Sequence, residues 1–372
     1  MENELLTLAI HSHSKAMILK NILETNGITV YLENVNEGQP GEPSVDGFYI
    51  KVKKTDLSKA LMIIEENKLF SYSDKEIHKI DDGRNRILVA VDFSSYSMNA
   101  CRVAFEIASR LNAKVKILHV YHNMYFPSHI PFADSLKETP EEGILDTTRS
   151  KMLNLCLDID KKISKGEWPS VNYSYSLREG LVDEEIESFV LEYKPVLLII
   201  GRRGKDKTQT FALGNVTADV IEMVNVPVLA VPENMQFYSE VGRIHIAFLT
   251  NLQPKDMKSF DRLVNFLQPY KRLKITLLHV NRMDGKGTRY PESELLKMKE
   301  EFDNLYPQIN IEYKMLDSPD ILQAVTDFVD QNNVNVISLN THRRNLFGRI
   351  FQPSLSRKML QRFERALLVL RG

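Results

Sequence analysis

The sequence predicts an α/β protein: two tandem, doubly wound parallel-sheet domains preceded by a small α+β sandwich. Three observations carry this. Between Arg86 and Val231 apolar strand-like runs alternate with helical patterns, the order that yields a parallel sheet with right-handed crossovers. The same order recurs between Arg243 and Leu370. Residues 4–70 follow a different pattern and read as a separate module. A chain of 372 residues has room for two or three domains.

The N-terminal module reads strand, helix, strand, strand, helix. Leu5 to Ile10 is a short apolar run. Ser12 or Ser14 can cap a helix with Ala16, Ile18, Leu19, Ile22 and Leu23 on its apolar face, and Asn26-Gly27 ends it. Thr29 to Leu32 and Phe48 to Val52 are strand-like and flank a Gly/Pro-rich turn. Asp56 caps a second helix carrying Leu57, Ala60, Leu61 and Ile64. Polar residues 71–85 then read as a linker.

The middle segment opens with Ile87 to Val91, a continuous apolar run suited to a strand buried on both faces. The helix after it, from about Ser95 to Leu111, places Ala100, Val103, Ala104, Ile107, Ala108 and Leu111 on one face. Further strands are expected at Val115 to Val120, Val171 to Ser176, Val196 to Ile200 and Val228 to Val231. Helices are expected around Met152 to Ile163, Asp183 to Glu192 and Asn215 to Val224, with a loop at Gly201 to Gly214. In the C-terminal segment Arg243 to Ala247 matches Arg86 to Ala90, Thr276 to Val280 matches Lys116 to Val120, Asn335 to Leu339 matches Val196 to Ile200, and Leu367 to Leu370 matches Val228 to Val231. The expected domains are therefore residues 1–72, 85–234 and 242–372.

Composition narrows the function. The formal net charge is -1, without the basic excess of a nucleic-acid binder. No apolar run approaches the ~20 residues that span a bilayer. Residues 1–4 lack the basic and apolar regions of a secretion signal. Two cysteines, Cys101 and Cys156, make no disulfide framework, so a reducing cytoplasm is the expected location.

One constellation points to chemistry. Asp92 follows the first strand of the middle segment, Gly201 and Gly204 follow the fourth, and Gly214 opens the next helix before Asn215. Glycines let a backbone turn and approach closely. Their exposed N–H groups, with a helix N-terminus, form an anion cradle. In doubly wound sheets ligands bind at the carboxyl ends of strands, where a carboxylate such as Asp92 can accept from an amine or a ribose hydroxyl. Arg202, Arg203, Lys205 and Lys207 make the loop basic, which favours phosphate; the alternative is charges turned to solvent. Asp92 alone also fits a plain helix-capping role.

Val89 to Ser94, Leu118-His119-Val120, the Gly-x2-Gly-x9-Gly loop and Val226 to Leu229 together resemble the universal stress protein family. The resemblance covers residues 85–231 well and residues 243–370 more weakly. It implies a five-stranded parallel sheet of order 3-2-1-4-5 and, in members with such a loop, ATP or another adenine nucleotide such as AMP as ligand, with Mg as its companion. It implies that Asp92, with Ala90 and Val91, faces the base, that Val120 lines the adenosine pocket, and that Gly201, Gly204, Gly214, Asn215, Val216 and Thr217 hold ribose and phosphates. Asn215 stands where the family has a hydroxyl residue, and Thr217 offers a hydroxyl two residues on. In the C-terminal segment Leu249 stands opposite Asp92, while Asn340, Arg343 and Pro353 replace the three glycines, so that segment is expected to keep the fold without the site.

The N-terminal module resembles, less specifically, small signal-transducing domains of ferredoxin-like or PII-like type. His11 and His13 have no partner spaced for a metal. No nucleophile motif or Walker-type loop is present, so catalysis is at most slow ATP hydrolysis. Related proteins dimerise through the last strand of the sheet, so the two stress-type domains are expected to pair within the chain as a pseudo-dimer, with homodimerisation a further option. The competing function is a scaffold or interaction protein that binds no nucleotide.

Overall fold

The computed structural model describes residues 5–11, 13–34, 48–56, 59–60, 63–64, 85–122, 140–202, 215–235, 244–267, 270, 273–283, 289–307, 309–341 and 355–371. These fall into two compact units: Met1–Ser94 with Ala104–Pro195, and Ser95–Val103 with Val196–Gly372.

The first unit begins with β1 (Leu5–His11), α1 (His13–Thr25), β2 (Val30–Asn34) and β3 (Phe48–Lys53), an antiparallel sheet in which β3 is central. Gly27 has φ 79, the left-handed conformation in which glycine terminates a helix without a Cβ penalty. Ala16, Leu19 and Leu23 of α1 are buried, as are Ile50 and Val52 of β3, so the 3.6-residue and two-residue periods meet in one small core. This sheet sits on the same unit's larger part, where the Tyr49 hydroxyl lies 3.1 Å from the Ser170 Oγ.

That larger part holds β4 (Arg86–Ala90), β5 (Lys114–Tyr121) and β6 (Tyr173–Glu179), parallel with β5 in the middle. The helices α2 (Ser95–Leu111), α3 (Pro140–Ser164) and α4 (Val182–Tyr193) connect them onward. Phe105 packs against Trp168 and Tyr173, each ring centroid 5.3 Å away. The buried Tyr173 hydroxyl donates to Asp160 Oδ1 at 2.8 Å, which meets its hydrogen-bonding need inside the core. The helix expected at Met152 to Ile163 is longer at its N-terminal side, taking in residues 140–151, whose polar sequence shows no apolar stripe.

The second unit takes the start of α2, then β7 (Leu197–Arg202), α5 (Asn215–Met223), β8 (Val228–Pro232), β9 (Ile244–Leu249), α6 (Pro254–Leu267), β10 (Leu273–Arg282), α7 (Glu292–Leu305), β11 (Ile311–Ser318), α8 (Ile321–Gln331), β12 (Val336–Thr341), α9 (Leu355–Arg362) and β13 (Ala366–Arg371). Its strands run in the order β11-β10-β9-β12-β13-β8-β7. All neighbours are parallel except β13 and β8, which pair antiparallel with Leu368 opposite Leu229. Phe260 anchors the core, its ring 4.4 Å from Phe302 and 5.4 Å from Phe248 and Tyr306. No helix among the described residues is long and apolar enough to cross a membrane.

Candidate functional site

The first group of candidate residues lies at the carboxyl end of β4. Ala90 and Val91 are buried and Asp92 is exposed. The Val91 N–H donates to the Leu118 carbonyl at 2.9 Å, extending the ladder one residue beyond β4. Asp92 Oδ1 accepts from the Ser94 backbone N–H at 3.1 Å and from the Ser94 hydroxyl. This is the local turn that a short carboxylate stabilises. Between them Phe93 takes φ 64, a conformation uncommon outside glycine, and rests its ring 4.3 Å from that of His119. His119 Nδ1 donates to the Val91 carbonyl at 2.7 Å. Burial lowers the His119 pKa below its ordinary 6.5; the bond to Val91 and the charge of Asp92 oppose that shift, and Lys151 adds to it. Imidazole, strand end and carboxylate thus form one fixed corner, and Val120 lies buried beside it on β5.

The second group lies in the other unit. Gly201 is the fifth residue of β7, and a Cβ there would stand 2.7 Å from the Tyr96 carbonyl oxygen and 2.8 Å from the Ser97 nitrogen. Glycine is required because the backbone of the first turn of α2 passes directly over it. Thr217 is buried in α5, and its hydroxyl faces the Gly201 carbonyl at 3.4 Å. Val216 is exposed, and Asn215 is the first residue of α5. Gly204 and Gly214 lie outside the described residues, as do Arg203, Lys205 and Lys207.

Arg202 departs from its expected place in a basic loop. Its side chain is 6% exposed and donates to the carbonyls of Leu360 at 2.5 Å and of Phe363. Burial lowers its pKa to about 10 against the opposing charge of Glu364. It therefore remains protonated at neutral pH, but its charge serves the end of α9.

The C-terminal segment builds the same corner with different side chains. The Thr250 N–H donates to the Leu278 carbonyl at 3.0 Å, His279 Nδ1 donates to the Thr250 carbonyl at 2.8 Å, and Leu252 has φ 55. Thr250 thus corresponds to Val91, Leu252 to Phe93 and Asn251 to Asp92. The sequence match that set Leu249 opposite Asp92 is two residues out, because it matched the similar letters of Arg86 to Ala90 and Arg243 to Ala247, whereas the strand pairings set Ala90 level with Leu249. Counting on, Asp256 corresponds to Ser97. It is 1% exposed, and its Oδ2 accepts from the Thr250 hydroxyl at 2.9 Å and from the N–H groups of Asn251 and Gln253 at 2.8 and 3.4 Å. Asn340, opposite Gly201 in the sequence match, sends its amide to Asp256 Oδ1 at 3.4 Å. Sequence reading missed Asp256. Its signal was an acidic residue in the first turn of a helix, where a carboxylate meets unpaired N–H groups.

Among the described residues no group of His, Cys, Asp and Glu is arranged to hold a metal ion. His13 packs edge-on against Phe48 at 5.1 Å.

Comparison with known proteins identifies a family for part of the chain. Residues 83–232 match the model of the universal stress protein family. A universal stress protein of Methanocaldococcus jannaschii is 28% identical over 157 residues, which is 41% of this chain and 86% of that protein. The universal stress protein YxiE of Bacillus subtilis is 28% identical over 159 residues, 40% of this chain and 98% of that protein. The crystal structure of a universal stress protein from Archaeoglobus fulgidus superposes with a TM-score of 0.59 at 15% identity, covering 77% of this chain and 98% of that one, a likeness of fold. Over residues 83–232 the chain carries a domain of the universal stress protein family.

Proposed function

We propose that the protein binds one adenine nucleotide, ATP in the first instance, through residues 85–234, and serves stress signalling as a nucleotide-dependent sensor. The observation that carries this is Asp92: an exposed carboxylate held by Ser94 at the end of a buried strand. Its counterpart in the C-terminal segment is an amide, and the adjoining turn there is closed by the buried Asp256. A carboxylate so placed accepts from an adenine amine or a ribose hydroxyl. Ala90, Val91 and Val120 supply apolar surface for the base. Gly201, Gly204, Gly214, Asn215, Val216 and Thr217 are assigned to ribose and phosphates, and Mg would come with the phosphates. The bound nucleotide would supply the charge and the adenine ring that a partner reads.

On this reading residues 242–372 are a second stress-type domain of order 3-2-1-4-5 that has shed its site, and residues 1–72 are a regulatory module. The two stress-type domains pair through β8 and β13 as an internal pseudo-dimer. Calorimetry of the full chain with ATP, AMP and cyclic AMP tests the assignment. Binding of at least one is expected, with Asp92→Asn weakening it about tenfold, the effect of losing a hydrogen bond to a charged group. Gly204→Glu should abolish it. Flat traces for all three nucleotides would remove the proposal.

A second reading has its own observation. Gly201 is demanded by its approach to Tyr96 and Ser97 whether or not a ligand binds. A scaffold that binds no nucleotide would keep it, and Gly204→Glu would then change nothing measurable. Phosphate release above a buffer blank would add slow hydrolysis to the first reading.

A further inference from the structure

We infer that Arg202 and Arg371 are positioning residues for the proposed nucleotide site, fixing the main chain of the two elements that carry Gly201 and Thr217. The inference rests on the nucleotide reading above. Both arginines are almost fully buried, at 6% and 7% exposure, and both spend their guanidinium on backbone carbonyls. Arg202, directly after Gly201, donates to the carbonyls of Leu360 and Phe363, at the end of α9. Arg371, the last residue of β13, donates to the carbonyl of Ile221 in α5. Ile221 lies one helical turn beyond Thr217, so the grip falls on the helix that also carries Asn215 and Val216. The Arg371 carbonyl in turn accepts from Arg262 of α6. The helices α5 and α9 pack on one another, so the exchange is reciprocal: residues before and after the glycine loop are tied to the C-terminal segment, and that segment's last strand grips α5.

Their placement distinguishes positioning from plain stability. The last carbonyls of a helix lack intrahelical partners and carry partial negative charge, so a guanidinium satisfies them and fixes where they stand. A buried cation is weak evidence for stability, since a well-packed apolar side chain often serves as well. What an apolar side chain cannot do is fix a main-chain position through directional hydrogen bonds. Gly201 leaves no room for a side chain, because the backbone of Tyr96 and Ser97 lies within 2.8 Å of where its Cβ would be. The Thr217 hydroxyl faces its carbonyl at 3.4 Å. A shift of α5 relative to β7 therefore alters the Gly201–Thr217 arrangement directly. On this reading the C-terminal segment braces β7 and α5, the elements of its neighbour that carry Gly201 and Thr217.

The test uses the full chain. Arg202→Met, Arg371→Met and the double variant are titrated with ATP by calorimetry and melted in parallel, with Arg202→Lys as the conservative variant. Val325→Ala, which opens a cavity in the core of α8, is the stability control; Val325 is 0% exposed. The expected result is a loss of ATP affinity of about tenfold in each methionine variant, partly recovered by Arg202→Lys, while Val325→Ala melts lower and binds ATP as the wild type does. Wild-type affinity in the methionine variants overturns the inference, and so does an equal loss in Val325→Ala. If the wild-type chain itself gives a flat ATP trace, the nucleotide reading falls and the inference with it. If the wild type binds and the variants match it, the inference alone falls.

Discussion

At the scale of single residues, the same letter can serve two purposes that sequence cannot separate. Gly201 reads in the sequence as part of an anion cradle, and its structural demand turns out to be steric. That demand depends on how closely the first turn of α2 crosses β7, which no spacing within the sequence reveals. It makes a sharp prediction. Gly201→Ala places a methyl group 2.7 Å from a backbone oxygen that cannot swing aside, so α2 or β7 must shift. Overpacking of this kind costs about 1–3 kcal/mol, to be read as a lower denaturation midpoint at unchanged m-value. An unchanged midpoint would mean that the helix start yields freely. Asp92 is more legible, because a carboxylate directly after the buried run Ile87 to Val91 stands at a strand's carboxyl end, where it can cap the next helix or accept from a ligand. The two-residue slip that pairs it with Leu249 comes from matching apolar letters. Only the hydrogen bonds of Val91 and Thr250 to the next strand set the true correspondence with Asn251.

At the scale of elements, periodicity predicts best where both faces of a strand are buried or a helix has a clean apolar stripe. Ile87 to Val91, Val196 to Ile200 and the helix from Ser95 to Leu111 stand nearly as their patterns predict. The start of α3 escapes such a reading because Pro140-Glu141-Glu142-Gly143 offers no apolar face of its own. The corner after β4, repeated after β9, is invisible in the sequence: nothing in Phe93 or Leu252 announces a positive φ. Helix caps are the elements' most testable features. Asp320 accepts from the N–H groups of Leu322 at 2.9 Å and Gln323 at 3.2 Å, satisfying two donors that α8 would otherwise leave open. Asp320→Ala should therefore destabilise the protein by about 0.5–2 kcal/mol, and Asp320→Asn by much less. Equal losses for the two would indicate that charge rather than capping geometry is at work.

At the scale of the whole molecule, the sheet of the second unit continues through an antiparallel seam that neither flanking segment supplies alone. Every residue of β8 and β13 is buried, and Leu367, Leu368 and Val369 stand opposite Ala230, Leu229 and Val228. The seam is legible as an expectation from two apolar final strands, since an uncovered apolar edge invites pairing. Its register is not, because a run such as Val-Leu-Ala-Val fits Leu-Leu-Val-Leu in several offsets. The two strands are similar enough for one to replace the other, and this yields a prediction about a shortened chain. A chain ending at residue 241 leaves β8 with unpaired N–H and C=O groups along an apolar edge, and Pro232 blocks a donor only at its end. Such an edge pairs with itself, so the shortened chain should sediment as a dimer where the full chain forms its seam internally. Leu229→Lys in the shortened chain places a charge at the centre of that edge and should return it to a monomer. A folded, monomeric shortened chain without that substitution would show that β8 is protected by something other than β13, and the reading of the seam as the joint between two stress-type domains would have to be given up.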